Sequence, residues 1–483
     1  MSSGHESPYE YLFRGLGWQE PAIAPPKTCR HIERGEATVQ QKRKKSIAVC
    51  VLLSSLFASA LASGSGVVAA APSPPKTGFE KSNGAEWTTH EQELSFLAEV
   101  DRRSGRVRMG VIGRTASRRP LHLVRIGQPA PMNTARATRS KTILFVCSQH
   151  GNEPAGREAC LQLLRDLAFT KSSALINQMK NTALLFVPAA NPDGRADNTR
   201  ENTAGIDINR DHLNLVSPEA RAIAKVVKEW RPDVVLDLHE YGPSIPALYD
   251  DELLYLWPRN LNVDKKVHDL SETLARKYIG ESAREAGFSS DEYGMYAVAD
   301  QDIHQSAGDG DEGILRNAMG LRHALGILVE SAVSSNPTNG PDEVTDESAV
   351  NRRRVASQLF VSLQTLRFLR ERGGEVNGAT AGARRRKAAE GASRGAPVYF
   401  GGADNQEPES SDVVDPPPCS YTLTSTQLAS VRDVLSLLGV TAKKTSKGAL
   451  VRMGQVAEPL IPLVLDERGL RHSVEGRPQA SCG

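Results

Sequence analysis

Short, nearly unbroken apolar runs alternate with amphipathic stretches through the middle of the chain. The runs at 143–147, 183–187, 234–238 and 326–329 predict strands whose two faces are both covered. Between them, apolar residues recur every three or four positions, as in 160–167 and 223–230, which predicts helices. Strands and helices that alternate in this way indicate an α/β fold, a three-layer α/β/α sandwich with a mixed, largely parallel sheet.

Patterns on either side of this region predict the remaining elements. A helical stretch at 91–102 precedes two strand-like runs at 107–112 and 121–126, and a long helix at 351–372 closes the layered domain. The following residues are rich in Gly, Ala and Arg, which favours a flexible linker. We therefore expect an N-terminal extension with a signal peptide (1–71), a layered main domain (84–372), a flexible linker (373–412) and a small C-terminal domain (413–483).

The last segment has a helix pattern of its own followed by strand patterns. Residues 425–438 predict a helix, and residues 450–456 and 460–465 predict strands. Pro462 would confine the second strand to a sheet edge, because proline cannot donate a hydrogen bond to the ladder. These elements predict a small α+β segment appended to the main domain.

The N-terminal region resembles an export signal. The basic run Lys42-Arg-Lys-Lys45 precedes an apolar, small-residue stretch at 47–62, and alanine-rich cleavage sites follow it. This order predicts an exported protein, periplasmic or secreted, with no stable membrane span after signal removal. The alternative is a membrane anchor through residues 46–71, although its strongly apolar part is short for a span.

Composition narrows the function classes. The chain has 483 residues, 39% of them hydrophobic and 24% charged, which is an ordinary soluble profile. A net charge of +2 gives no global field that would favour nucleic acid, so we expect no nucleic-acid partner.

Six cysteines are present, and export would make disulfides possible. Cys147 and Cys160 lie in apolar patterns and are expected to be buried small hydrophobic residues. Cys419 and Cys482 bracket the last segment and are candidates to close it as a loop, although spacing leaves the connectivity open.

A histidine and a glutamate three residues apart, followed much later by a second histidine, form a candidate metal site. His150 and Glu153 lie where a predicted strand hands over to a helix, and His239 ends another predicted strand. Two imidazoles and one carboxylate are the ligand set of a catalytic zinc ion that keeps one position open. Because open α/β sheets place their sites at the carboxyl edge, these residues are expected to meet there around one zinc ion per chain.

Arginines follow in motifs of their own. Asn-Pro-Asp-Gly at 191–194 is a turn signal, and Arg200 and the pair Asn209-Arg210 come next. A guanidinium near a metal either holds a carboxylate through a paired fork or stabilises a developing oxyanion. We therefore expect a substrate that carries a free carboxylate, either a peptide or a small amide.

Taken in order, the motifs resemble the carboxypeptidase A-like zinc metallopeptidase family over roughly residues 88–372. They are His-x-x-Glu, Asn-Pro-Asp-Gly, Asp-x-Asn-Arg, a strand-end His and a late strand-end Glu. The resemblance implies that His150, Glu153 and His239 bind zinc, with Asp207 orienting His150. It also implies that Asn209 and Arg210 hold the substrate's C-terminal carboxylate, that Arg200 stabilises the oxyanion, and that Glu330 is the general base.

The expected function is that of an exported zinc metallocarboxypeptidase. Two alternatives share the chemistry: a zinc-dependent deacylase of N-acyl amino acids, similar to the aspartoacylase and succinylglutamate desuccinylase branch, and a peptidoglycan stem-peptide hydrolase. The family's substrate-side tyrosine has no clear counterpart, although Tyr293 and Tyr296 lie in the right region. Glu240, directly after His239, either tunes the metal or faces solvent.

Overall fold

The computed structural model describes residues 73–242, 251–299, 302–307, 309–334 and 346–482. The described residues from Pro74 onward form one compact unit. The expected signal peptide, the anchor alternative and the extension within 1–71 lie outside the described residues. Within the described part of the chain, no helix has the length and apolar character needed to span a bilayer.

The main sheet has eight strands, and four of its central strands run parallel. The strands are Val107–Arg114 (β1), Pro120–Ile126 (β2), Lys141–Cys147 (β3), Thr182–Val187 (β4), Val234–Tyr241 (β5), Leu253–Leu256 (β6), Ser290–Glu292 (β7) and Leu325–Ala332 (β10). Their order across the sheet is β1-β2-β4-β3-β5-β10-β6-β7. The parallel pairs are β3–β4, β3–β5, β5–β10 and β6–β7, whereas β1–β2, β2–β4 and β6–β10 are antiparallel.

Helices cover both faces of this sheet. The helices are Gly78–Lys81 (α1), His90–Arg103 (α2), Thr134–Ala137 (α3), Ala155–Phe169 (α4), Ser173–Asn181 (α5), Pro192–Asp197 (α6), Pro218–Trp230 (α7), Lys265–Thr273 (α8), Ser282–Glu285 (α9), Leu315–Leu321 (α10), Glu347–Ser393 (α11), Ser425–Leu438 (α12) and Leu460–Leu465 (α13). Short 3-10 turns at Ile208–Arg210 and Ser410–Asp412 and a π-helix at Leu274–Glu281 complete the helical segments.

The core shows why the layers form. Alternate residues of β3, β4 and β5, such as Leu144 and Leu185, pack against α7 and α10 on one face. On the other face Phe145 and Phe186 stack with their ring centroids 4.6 Å apart, and α4 and α11 contact the central strands. Strands buried on both sides require continuous apolar runs, so the three-layer, largely parallel fold expected from the sequence is confirmed.

The long helix α11 corrects one expectation. It runs unbroken to Ser393, so the prediction of a flexible linker is wrong over its first part. Thr380 Oγ1 donates to Asp233 Oδ1 at 2.8 Å, and Arg386 binds Asp264 through Nε at 2.7 Å and Nη2 at 2.6 Å. The Gly and Ala residues that indicated flexibility are small residues on a helix face, where several of them are buried against the domain.

Beyond α11 the chain forms two small sheets. One pairs Val398–Tyr399 (β11) with Val413–Val414 (β12). The other has the order β14-β15-β13-β16. Its strands are Ser420–Thr424 (β13), Lys443–Thr445 (β14), Gly448–Arg452 (β15) and Arg477–Gln479 (β16). Earlier in the chain, between β7 and α10, the strands Gly294–Ala299 (β8) and Asp302–Ala307 (β9) form a separate hairpin.

The second predicted strand of the C-terminal segment is wrong. Residues 460–465 form helix α13, in which every residue is buried. A short apolar run that is buried on all sides has no period that separates a strand from a helix. The predicted helix at 425–438 is confirmed by α12, and the assignment of residues 413–483 to a separate small domain stays a prediction.

Two disulfides are present among the described residues. Cys419 and Cys482 are joined, as their positions around the last segment suggested. Cys147 and Cys160 are fully buried, as expected, but they are also bonded to each other. This second bond ties the end of β3 to helix α4, immediately around the loop that carries His150 and Glu153.

Candidate active site

The three predicted metal ligands converge at the carboxyl edge of the sheet. His150 Nδ1 lies 2.8 Å from Glu153 Oε1 and 3.0 Å from His239 Nδ1, and His239 Nδ1 lies 2.9 Å from Glu153 Oε2. All three side chains are buried, and they are the one group within the described residues whose donor atoms could hold a metal together. Ligand atoms of a tetrahedral zinc site are about 3.3 Å apart, so this set has suitable dimensions.

Local backbone features place the first two ligands. Strand β3 ends at Cys147, Ser148 adopts a left-handed conformation (φ +57°), and Glu153 N donates to His150 O at 3.2 Å to close a turn. Gly151 packs directly on the backbone of Gly194, where a Cβ atom would lie only 1.9 Å from the Gly194 carbonyl carbon. The Asn-Pro-Asp-Gly turn therefore supports the ligand loop from behind, and only glycine fits at Gly151.

A carboxylate binds the second nitrogen of each histidine. Asp207 Oδ1 lies 3.1 Å from His150 Nε2, as the resemblance implied. Asp237 Oδ1 lies 2.9 Å from His239 Nε2. A carboxylate on Nε2 keeps the proton there and leaves the Nδ1 lone pair facing the other ligands.

Asp237 was missed in the sequence. It precedes His239 by two residues on β5, so both side chains point to the same face of the strand. That spacing was a usable signal. Asp237 is itself held by Gln149 Nε2, which donates to its Oδ1 at 2.7 Å, and Gln149 Oε1 lies 2.6 Å from His212 Nε2.

The charges of the ligands stabilise one another. Burial opposes ionisation, but the two imidazoles outweigh it and lower the pKa of Glu153 to about 2. Burial alone would lower the pKa of His239. The negative charges of Asp237 and Glu153 outweigh burial and raise that pKa well above its ordinary value. The carboxylate is therefore ionised at neutral pH, as a metal ligand must be.

Glu330 lies on the neighbouring strand, directly beside the ligands. In the parallel pairing of β10 with β5, Glu330 is in register with His239. Its side chain is buried, and Oε2 has no hydrogen-bond partner among the described residues. Burial raises the pKa of Glu330 to about 7, which is where a proton acceptor and donor at neutral pH is most effective.

Both predicted arginines lie close to the ligands, around the same cavity. Arg200 donates to Asp207 Oδ2 from Nη2 at 2.9 Å and from Nε at 3.2 Å, and its Nη1 lies 3.2 Å from His150 Nδ1. Arg210 Nη1 donates to Asn209 O at 3.0 Å, and Asn209 Oδ1 accepts from Leu315 N at 2.8 Å. All the predicted site residues are therefore brought to one place.

A cavity of about 460 Å³ opens over this set. Its lining includes the ligands His150 and Glu153 together with Asn152, Arg200, Asn209, Arg210, Glu240, Tyr241, Gly242, Tyr293, Asp309, Ile314, Arg316, Leu328, Glu330 and Val333. Tyr293 is therefore at the cavity, whereas the side chain of Tyr296 lies outside the described part of the structure.

Glu240 has a role that neither sequence alternative anticipated. Its side chain is buried and accepts from Arg354 Nε at 2.7 Å and from Ala155 N at 2.8 Å. The carboxylate therefore faces neither solvent nor the ligand nitrogens. It joins the first residue of α4 to helix α11, just beside Glu153.

Comparison with known proteins agrees with these motifs. Residues 93–312 match the family model described as zinc carboxypeptidase. Carboxypeptidase 2 of Trichophyton tonsurans is 33% identical over 190 residues, which are 38% of this chain and 35% of that protein. Carboxypeptidase SOL1 of Arabidopsis thaliana is 26% identical over 179 residues, 34% of this chain and 35% of that protein. The chain thus matches about a third of these relatives' length, and the resemblance inferred from its motifs is confirmed.

The chain is similar in fold to two solved structures of metallo-carboxypeptidases. One from Pseudomonas aeruginosa, in complex with (2-guanidinoethylmercapto)succinic acid, has a TM-score of 0.45 and 19% identity, covering 59% of this chain and 69% of that one. One from Burkholderia cenocepacia has a TM-score of 0.44 and 16% identity, covering 57% and 69%.

Proposed function

From the match of residues 93–312 to the zinc carboxypeptidase family, we propose that this chain is an exported zinc metallocarboxypeptidase that hydrolyses C-terminal peptide bonds. The observation that carries the proposal is the convergence of His150 Nδ1, His239 Nδ1 and a Glu153 oxygen beside the buried carboxylate of Glu330. A ligand set without an adjacent base would suit a structural site equally well. The ligand set and the adjacent base, which border one cavity, together suit hydrolysis.

The donor set fits zinc. Two imidazole nitrogens, which release their protons when a metal binds, and one carboxylate are the ligand types of catalytic zinc sites, and the carboxylates of Asp207 and Asp237 hold the second nitrogen of each ring. The chemistry that a zinc ion supplies when bound to such a set is Lewis-acid polarisation of the scissile carbonyl and activation of water.

Glu330 moves the proton. Its carboxylate takes a proton from the attacking water as the new C–O bond forms, and it passes that proton to the leaving amine nitrogen as the C–N bond breaks. The unpartnered Oε2 is free to do so, since no described residue holds it. Burial raises the pKa of this carboxylate, which favours its holding the proton between the two transfers.

Arginines hold the negative charges of the substrate and of the transition state. Arg200, beside the ligands, donates to the oxyanion that develops as the carbonyl is attacked. The Arg210 guanidinium donates through Nη1 to the backbone carbonyl of Asn209, and its other N–H groups can bind the substrate's terminal carboxylate, with the Asn209 side chain beside them. Binding that carboxylate places the last peptide bond over the ligand set.

Export is supported by the chain's cysteines and N-terminal pattern. The four cysteines of the described residues are paired in two disulfides, which persist in oxidising compartments. The basic run at 42–45 followed by an apolar stretch has the order of a signal peptide.

The test uses the full chain with and without zinc. A peptide with a free C-terminus and the same peptide amidated are incubated with the enzyme, and the released amino acid is quantified by mass spectrometry. We expect release only from the free peptide, loss of release after chelation, and recovery with one equivalent of zinc. In Arg210→Ala, KM for the free peptide should rise about tenfold or more. Cleavage of N-acyl amino acids in place of peptides would favour the deacylase alternative.

A further inference from the structure

A third arginine lines the cavity and takes no part in the proposed mechanism. Arg316 is the second residue of α10, and its side chain is only 3% exposed. Its backbone is held against β10, because Gly326 packs on it so closely that a Cβ there would lie 2.2 Å from Arg316 O. The guanidinium is thus set on a fixed backbone in the strand-helix unit that also carries Glu330.

The guanidinium of Arg316 is incompletely satisfied. Nη2 donates to the backbone oxygen of Asp309 at 3.0 Å, and the Asp309 carboxylate is 3.7 Å away. Nε is buried and has no hydrogen-bond partner among the described residues. Burial lowers the pKa of Arg316, which reflects the cost of removing its charge from water. A buried cation of this kind is strongly stabilised when an anion reaches it.

The other two arginines of the cavity already have roles. Arg200 is bound to Asp207 through two nitrogens, and Arg210 is the proposed partner of the terminal carboxylate. A substrate that carries one carboxylate therefore leaves Arg316 unmatched. A second carboxylate, on the side chain of the last residue, would match it.

Apolar side chains accompany Arg316 along the cavity wall. Ile314 and Leu328 line the same space and offer contacts to methylene groups, and both are buried. A substrate side chain with a short aliphatic stem and a terminal anionic group fits these apolar walls and the positive charge of Arg316.

We propose that Arg316 selects substrates whose C-terminal residue has an acidic side chain, glutamate or aspartate. This inference rests on the proposed carboxypeptidase function and names its substrate class. Asp309 is the competing anion, but its side chain is half exposed and its carboxylate lies 3.7 Å from the guanidinium, beyond hydrogen-bond distance. Water therefore screens this pair, and a buried substrate carboxylate would compete well with Asp309.

The experiment compares peptides that differ only in the last residue. Benzoyl-Gly-Glu and benzoyl-Gly-Gln are isosteric, and benzoyl-Gly-Lys reverses the charge. In the wild type, kcat/KM for Glu should exceed that for Gln by about tenfold to a hundredfold. In Arg316→Gln the ratio should fall to near one, and Arg316→Lys should keep part of it. Arg367→Gln, which removes an arginine paired with Glu371 on the exposed face of α11, is the matched control and should keep the wild-type ratio.

Two further arms keep the result decisive. If Arg316→Gln does not fold, Asp309→Asn removes the competing carboxylate from a half-exposed position and should raise the Glu/Gln ratio; an unchanged or lower ratio overturns the proposal. Calorimetric titration of the Glu330→Gln variant with both peptides reports selectivity without turnover, and we expect the Glu peptide to bind at least about tenfold more tightly.

The outcomes separate this inference from the proposed function. Efficient cleavage with equal rates for Glu and Gln overturns the role of Arg316 and leaves the carboxypeptidase intact. Preferential binding of the Glu peptide with no cleavage by the wild type overturns the carboxypeptidase and leaves Arg316 as the acid-selecting residue. If Arg316→Gln loses discrimination between free and amidated C-termini while the Glu/Gln ratio stays, Arg316 binds the terminal carboxylate and the proposal is wrong.

Discussion

Arg471 binds both carboxylate oxygens of Asp311, a residue that lies in the chain between the cavity-lining residues Asp309 and Ile314. Nε lies 2.5 Å from Oδ1 and Nη2 lies 2.5 Å from Oδ2, and Arg471 N donates to Glu312 Oε1 at 3.2 Å. The next residue, Gly313, accepts a hydrogen bond from His212 N at 3.0 Å. The C-terminal segment therefore holds the loop that leads into the cavity wall.

Removing this fork should loosen the wall more than it affects the chemistry. In Arg471→Ala we expect KM for a peptide substrate to rise about threefold to tenfold with kcat within about twofold of the wild type, and stability to fall by about 1–2 kcal/mol because the pair is partly exposed. Steady-state kinetics and urea unfolding measure the two effects. A variant that lost kcat at unchanged KM would show that the fork acts on catalysis instead.

Glu330 should be separable from metal binding. In Glu330→Gln the volume is kept but the proton acceptor is lost, so kcat should fall by about 10²–10⁴. Zinc content, measured by atomic absorption after dialysis, should remain one per chain, since Glu330 is not in the converging ligand set. Turnover close to that of the wild type would remove Glu330 from the mechanism.

Asp237 should affect the metal through His239. Asp237→Asn weakens the acceptor on His239 Nε2, so we expect zinc affinity to fall by about 10- to 100-fold. Competition with a chromogenic chelator gives that affinity directly. Asp433→Asn, on the exposed surface of α12, is the matched control. Equal affinities in the two variants would show that His239 does not need Asp237 to bind the metal.

Glu312 should make stability depend on pH. Burial, with the charge of Asp311, raises its pKa to about 7 from 4.5 in the unfolded chain. The folded state therefore binds the proton more tightly, and the free energy of unfolding should decrease as pH rises from about 4.5 to 7, by about 3 kcal/mol at most from this group. Glu330 and Glu458 have pKa values raised to about 7 as well, so the wild-type curve contains their share.

The Glu312→Gln variant isolates the contribution of this group. Urea unfolding of the wild type and of the variant, in steps between pH 4.5 and 8, gives the difference in their unfolding free energies. That difference should change steadily across the interval and level off above it. Parallel curves would show that Glu312 is ionised throughout.

Local signals were enough for much of the fold and for the ligand set. Each central strand is an apolar run because both of its faces are buried, and His150, Glu153 and His239 stand at strand ends, where a parallel sheet exposes its edge. These features depend on neighbours in the chain, so they can be recognised without coordinates. The same holds for helix α12, whose cap and periodicity lie within its own residues.

The other features of the fold and of the site depend on contacts between residues that are far apart in the sequence. Residues 373–393 continue the helix, and two contacts hold them against the domain. Thr380 binds Asp233 and Arg386 binds Asp264, and each partner lies more than a hundred positions away in the sequence. Arg316 becomes a buried cation at the cavity only once α10 packs on β10. Apolar periodicity and motif spacing thus determined a layered α/β chain with three candidate metal ligands at one edge of its sheet. The folded packing determined which nitrogen faces the centre, which carboxylates hold it and which charges remain unmatched, because burial and hydrogen bonding depend on residues that only folding brings together.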